Sequence, residues 1–283
     1  MSITEPYQPV DYLVIGHITK DLTSSGYRLG GTVMYAALTA QALGLRVGLL
    51  TSCDPELDLS ILDGIAIHRL EAAGTTTFEN IYTSGRRNQK LIQRANLLSP
   101  DQLPAAWLNS PIVHLAPIAR EVSPAFSTTF HKAMIALTPQ GWLRDWDLQG
   151  RVSFRLWSEA HQLIETSSVT ILSIEDVDGD EHQIDRLSQE TNLLVVTEGV
   201  QGCRVYWNGD IRRFKPSPEK EIDPTGAGDI FATAFISRLK ATRDPWESAR
   251  FANHIASKSV TRTGLLGIPT PEEIRAAMIQ IMN

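Results

Sequence analysis

The chain has 283 residues, 42% hydrophobic and 20% charged, with 19 Gly, 15 Pro and two Cys, the composition expected of a globular α/β-sized domain rather than a disulfide-built one. Its 26 Lys plus Arg against 32 Asp plus Glu give a formal charge of -6, so it has no basic field to hold nucleic acid by counterion release. The N-terminus lacks the charged-then-apolar pattern of a signal peptide, and Gln41 and Arg46 interrupt the apolar stretch from 36 to 50, so the sequence predicts a cytoplasmic protein with no transmembrane helix.

Residues 11–16 form a short apolar run closed by Gly16, which predicts a buried strand followed by a loop reaching Asp21. Gly30-Gly31 then opens a helix from 32 to 43, with Val33, Met34, Ala37 and Leu38 at helical spacing and Gly44 as the stop. Residues 46–51 read as the next strand, completing a β-loop-α-β unit of the kind that builds parallel sheets. Thr75-Thr76-Thr77-Phe78-Glu79-Asn80-Ile81-Tyr82 is β-prone, and Gly85-Arg86-Arg87-Asn88 reads as a turn before Lys90-Leu91-Ile92, so a hairpin leaves the core here. Further strands are expected at 112–115, 134–137, 170–173 and 193–197, separated by polar or helix-compatible segments. Residues 203–207 and 211–214 flank Asn208-Gly209-Asp210 as a second hairpin, and helices follow from Asp229, Pro245 and Pro271. Cys53 and Cys203 have no His or Cys at ligand spacing and read as isolated thiols. No repeat or linker interrupts the pattern, which predicts a single α/β domain over residues 1–283.

The segment richest in chemistry is Asp223-Pro224-Thr225-Gly226-Ala227-Gly228-Asp229-Ile230-Phe231-Ala232. Small residues let the backbone N–H groups of Gly226, Ala227 and Gly228 converge on an anion, and the helix N-terminus behind them adds its dipole. A carboxylate at Asp229 is poorly placed to bind a phosphate but well placed to take a proton from a hydroxyl attacking it. The alternative is a flexible turn before a helix, with Asp229 complementing the macrodipole.

This segment resembles the C-terminal signature of the PfkB, or ribokinase-like, carbohydrate kinases, close to Asp-Thr-x-Gly-Ala-Gly-Asp, with Pro224 shifting the Thr by one place. Gly16-His17-Ile18-Thr19-Lys20-Asp21, Gly30-Gly31 and Thr197-Glu198-Gly199-Val200-Gln201-Gly202 fall in the family's order. The resemblance implies a central mostly parallel sheet flanked by helices, with a small β lid from residues 22–29 and 75–93. It implies a cytoplasmic, ATP-binding transferase, a monomer or homodimer, that phosphorylates a small-molecule hydroxyl. Carried over by position, Asp229 matches the catalytic base, and Gly226, Ala227 and Gly228 match the anion hole. Asp21, Gly30 and Gly31 match the acceptor site. Thr197, Gly199, Gly202, Thr225 and Asn253 match the nucleotide site, although the glycine loops also read as ordinary turns and His254 beside Asn253 reads as structural. Where many members carry Asn-x-x-Glu to organise Mg²⁺, this chain has Ser173-Ile174-Glu175-Asp176, which leaves Asp176 as the metal-side carboxylate, with Glu175 or Asp178 as substitutes.

The lid and Pro139-Gln140-Gly141-Trp142-Leu143-Arg144 look most like the myo-inositol kinase branch. Gln140 supplies a donor and an acceptor and Arg144 a rigid fork of donors, which suits a ring bearing hydroxyls all round. Pairing of Arg144 with Asp145 or Asp147 is the competing reading. Sugar, 2-keto-3-deoxygluconate and nucleoside acceptors, or a non-catalytic ligand-binding relative, are the alternatives.

Overall fold

The computed structural model describes residues 7–83, 86–157 and 160–282. Its first half forms β1 (Tyr12–Ile15), β2 (Thr19–Thr23), β3 (Gly26–Gly30), α1 (Thr32–Ala42), β4 (Val47–Cys53), β5 (Ala66–Glu71), β6 (Thr76–Thr83), β7 (Arg86–Gln93), β8 (Ile112–Leu115) and β9 (Met134–Leu137). The remainder forms β10 (Arg144–Trp146), β11 (Val152–Phe154), α2 (Ala160–Thr166), β12 (Val169–Ser173), α3 (Glu181–Glu190), β13 (Leu193–Thr197), β14 (Cys203–Trp207), β15 (Asp210–Phe214), α4 (Ala227–Thr242), α5 (Pro245–Ser259) and α6 (Pro271–Met282).

The main sheet has the order β15-β14-β13-β12-β9-β8-β1-β4-β5. From β13 to β5 neighbouring strands run parallel, and β14 and β15 extend that sheet antiparallel. Parallel strands covered on both faces must be apolar on both, which is why their runs are legible without alternation. Tyr12 and Val14 face a core shared with α1, α4, α5 and α6. Leu13 and Ile15 face the opposite core, built on Trp107, Phe126, Trp157 and residues of α2 and α3. The architecture is the expected central mostly parallel sheet flanked by helices, with a second small sheet of order β3-β2-β6-β7.

Three local expectations change. The loop expected to reach Asp21 is instead β2, in which Asp21 stands opposite Arg28 of β3 and Phe78 of β6. Its polar residues give no apolar pattern; pairing on both sides supplies the strand's hydrogen bonds. The small sheet therefore uses residues 19–30 as well as 76–93. Arg86, Arg87 and Asn88, expected in a turn with Gly85, already belong to β7, and Gly85 lies outside the described residues. The helix expected from Asp229 begins at Ala227, because Gly226 at φ 80 serves as its N-cap.

Strand β5, helices α2 and α3, and the β10–β11 hairpin carry no signal singled out in the sequence. The hairpin has a mechanical task, since the Leu91 N–H donates to Gly150 O at 2.8 Å and so ties β7 to the body of the molecule.

The antiparallel extension supplies a stability test. A Cβ on Gly202, at φ +91, would lie 2.0 Å from Phe214 O, whereas Gly209, at φ +78, faces open space. Gly209→Ala should cost about 1 kcal/mol for left-handed backbone alone, and Gly202→Ala about 3 kcal/mol or more once the backbone collision is added. Urea denaturation of the two variants reads the difference.

Candidate active site

The residues singled out in the sequence gather past the carboxyl ends of the parallel strands, the edge at which open α/β sheets bind ligands. Asp21 on β2 and the Gly30-Gly31 pair meet directly. A Cβ on Gly30 would lie 2.7 Å from Asp21 Oδ2, and one on Gly31 would lie 2.6 Å from His17 O. Gly31 is the N-cap of α1 at φ 88, so its glycine identity follows from both backbone angle and crowding.

Helix α1 then brings Tyr35 against the N-terminus of α4, where a Cβ on Gly226 would lie 2.1 Å from Tyr35 Cε1. Tyr35 thereby lies close enough to Asp229, Asp223 and Asp21 to feel the charge of all three. Burial, followed by the negative charges of Asp229, Asp223 and Asp21, pushes the Tyr35 hydroxyl well above the ordinary phenol range.

Asp229 is the third residue of α4, inside its first turn. The expected anion cradle is narrower than its three glycine-loop residues suggest, because the Ala227 N–H donates to Pro224 O at 3.1 Å. Gly226 and Gly228 precede any intrahelical acceptor for their N–H groups. Asp223 fixes the loop: its Oδ1 accepts from Thr225 N at 3.0 Å and its Oδ2 from Gly264 N at 3.0 Å. Partial burial works against ionisation of Asp223, but hydrogen bonds from Thr225 and Gly264, with the Arg28 charge, hold its carboxyl below the usual range.

Gln140 and Asp176, assigned separately to acceptor and metal, touch each other. Gln140 Nε2 donates to Asp176 Oδ1 at 2.8 Å, and Asp176 Oδ2 accepts from Ser173 N at 2.9 Å. Ser173 and Asp176 form a capping box over the short turn Ile174–Val177. Arg144 donates to Ile118 O at 3.3 Å and lies over the Phe78 ring at 5.7 Å. The neighbouring Asp145 pairs with Arg120 and Asp147 with Arg151.

The nucleotide-side residues follow β13. Thr197 Oγ1 reaches Leu172 O at 3.5 Å. Gly199 faces open space, whereas the missing Cβ of Gly202 is accommodated by Phe214 O and Pro216. Asn253 is buried on α5, and its amide donates to Phe214 O at 3.2 Å and to Cys203 Sγ at 3.3 Å. It locks α5 to β14 and β15. His254 beside it faces Ser217 Oγ across 3.5 Å.

Sequence reasoning missed Glu121 and His17. The fully buried Glu121 carboxylate accepts from His17 N at 2.9 Å and Ala119 N at 2.7 Å, and both its oxygens accept from Ile118 N at 3.0 Å. It clasps the loop that leads into β2 to the loop that receives Arg144. The buried His17 ring extends the clasp, with Nδ1 2.7 Å from Thr76 Oγ1 and Nε2 2.7 Å from Asn96 O. The one sequence cue was an acidic residue in a segment otherwise rich in Pro, Ala and Ile.

A sequence profile described as pfkB family carbohydrate kinase matches residues 158–272. The inositol 3-kinase of Oryza sativa subsp. japonica is 39% identical over 77 residues, which make up 27% of this chain and 19% of the length of that protein. The cytidine kinase of Thermococcus kodakarensis is 23% identical over 275 residues, covering 90% of this chain and 98% of its own. Among solved structures, a pyrophosphate-dependent kinase in the ribokinase family, complexed with a pyrophosphate analog and myo-inositol, has a TM-score of 0.76 at 20% identity, over 94% of this chain and 99% of that one. Ribokinase from Thermotoga maritima has a TM-score of 0.73 at 19% identity, over 95% and 99%. These likenesses give the chain the ribokinase fold.

Two outcomes follow from the buried polar groups. Glu121→Gln turns an acceptor into a donor facing backbone N–H groups and should lower stability by about 3 kcal/mol, read by urea denaturation. The second concerns His114, whose buried ring lies between Tyr12 Oη and Thr138 Oγ1 at 2.9 Å each. Burial lowers its pKa from 6.5 to about 3. Below the unfolded value only the unfolded chain takes the proton, so stability is present above it and declines as pH falls toward the folded value, with a slope approaching about 1.4 kcal/mol per pH unit. His114→Gln should show a flatter profile between neutral and acidic pH than the wild type.

Proposed function

We propose that the chain, whose residues 158–272 match the pfkB carbohydrate kinase profile, transfers the γ-phosphate of ATP to a hydroxyl of a polyol or sugar, with myo-inositol or a related cyclitol as acceptor. The observation that carries this reading is the first turn of α4, where a carboxylate, Asp229, follows the glycine N-cap and acts, together with Asp21, on the same buried Tyr35.

Asp21 holds the acceptor through its hydroxyls, and Gly30 and Gly31 admit the ring close to backbone. Asp229 takes the proton of the attacking hydroxyl as its oxygen closes on the γ-phosphorus. The Gly226 and Gly228 N–H groups, at the positive end of the α4 dipole, stabilise charge on the transferring phosphoryl. The donor lies along the 197–202 turn and Thr225, over a floor that Asn253 secures through β14 and β15. Gln140 and Arg144 act from the edge of the acceptor site, Gln140 through its bond to Asp176.

Mg²⁺ would neutralise charge on the donor phosphates. Asp176 suits contact with its water shell, because a carboxylate offers about four acceptor sites and each Asp176 oxygen accepts one bond within the described residues. Mg²⁺ takes few protein ligands and keeps several waters, so one carboxylate beside the donor phosphates would serve.

The likeness to the rice inositol 3-kinase favours a cyclitol acceptor, whereas the longer match to a cytidine kinase favours a nucleoside. ADP release from Mg-ATP is therefore to be measured with myo-inositol, pentoses, hexoses, 2-keto-3-deoxygluconate and nucleosides. Turnover should be highest with myo-inositol and fall by about 10²- to 10⁴-fold in Asp229→Asn. Turnover with cytidine in preference to polyols would replace the acceptor assignment. A wild type inactive on every acceptor would overturn the kinase reading.

A further inference from the structure

Helix α1 is packed with small and aliphatic residues, Val33, Met34, Ala36, Ala37 and Ala40, yet carries one phenol among them, Tyr35, which is only 4% exposed. A buried tyrosine hydroxyl ordinarily finds a hydrogen-bond partner. The hydroxyl of Tyr35 is not one of the polar atoms sealed from solvent without a partner, so the buried ring presents it toward the space beside Gly226 and Gly264.

Its position is well defined. The ring edge lies against Gly226, with Cε1, Cδ1 and Cζ within 2.1, 2.3 and 2.5 Å of a Cβ built there, and the hydroxyl is 3.9 Å from a Cβ built on Gly264. The phenol thus sits between the two glycine turns that flank the N-terminus of α4. The charged groups acting on it are Asp229, Asp223, Asp21 and Arg28. Three of those four are carboxylates that repel an incoming phosphate, so neutral donors are needed to receive one. A phenol kept protonated in this setting is such a donor.

We propose that Tyr35 is a catalytic residue whose hydroxyl donates a hydrogen bond to a non-bridging oxygen of the transferring phosphoryl group, beside the Gly226 and Gly228 N–H groups. The inference rests on the kinase reading above. Its proton stays on the phenol throughout: the bond from the γ-phosphorus to the donor's bridging oxygen breaks, the bond to the acceptor oxygen forms, and the acceptor proton goes to Asp229. Tyr35 contributes because the charge it faces grows during transfer.

The test is Tyr35→Phe, which keeps the ring against Gly226 and removes only the hydroxyl, with thermal unfolding as the check on folding. The steady-state kcat should fall by about 10²-fold, with the acceptor KM within about twofold, because the lost bond is made to the phosphoryl and not to the acceptor. Calorimetric titration with inorganic pyrophosphate, which needs no turnover, should show about fivefold weaker binding to the variant. A variant with wild-type kcat and wild-type pyrophosphate affinity would overturn the proposal. If the wild type turns over no acceptor, the kinase reading fails by itself, and the titration alone decides Tyr35: equal affinities sink it and a severalfold loss supports it.

Discussion

Where a parallel sheet reverses its strand order, the loops leaving the two central strands part company and their backbone groups lose the neighbours that strands provide. Here the reversal lies between β1 and β8, and the carboxylate of Glu121 spans it. One side chain accepts from both diverging loops, and Gly16 lets them touch, since a Cβ there would lie 2.2 Å from Ala116 O. Carboxylate acceptors make stronger bonds to backbone N–H groups than neutral ones do, which makes the clasp rigid. The path from the clasp to Asp21 is four residues long, so Asp21 is registered against the sheet almost at its centre.

The small sheet is fastened to that centre at two levels. At its base, Thr76 meets His17, and its hydroxyl also accepts from Ala95 N at 3.0 Å. Farther out, Trp146 of the β10–β11 hairpin lies between the guanidinium groups of Arg94 at 5.7 Å and Arg120 at 4.2 Å. Cation–π contacts of this kind tolerate sliding better than directional hydrogen bonds do. The base of the small sheet is therefore fixed by directional hydrogen bonds and its outer part by stacking.

Much of the frame was legible in the sequence because both faces of the parallel strands are buried. The strands Ile112–Leu115, Met134–Leu137 and Leu193–Thr197 coincide with their apolar runs. β2 was not legible, since Lys20 and Asp21 break the apolar pattern and the strand exists through its partners. The glycine loop and Asp229 were legible as a local constellation. The clasp of Glu121 to His17, 104 residues apart, the Gln140–Asp176 bond across 36, and the packing of Tyr35 on Gly226 exist only after folding. A one-dimensional pattern shows which residues could do chemistry, and not which of them are already engaged with one another.

The helices divide by how they begin. α3 and α5 are capped by Asp180 and Asp244, whose carboxylates accept first-turn N–H groups. α1 and α4 start from glycine with no side-chain cap. A cap is worth roughly 1 kcal/mol, so the fold forgoes that stability at both. At α4 the donor phosphate of the proposed reaction would become the missing cap. Occupancy and folding are then linked by mass action, and the melting temperature of this protein becomes a gauge of how full its cleft is.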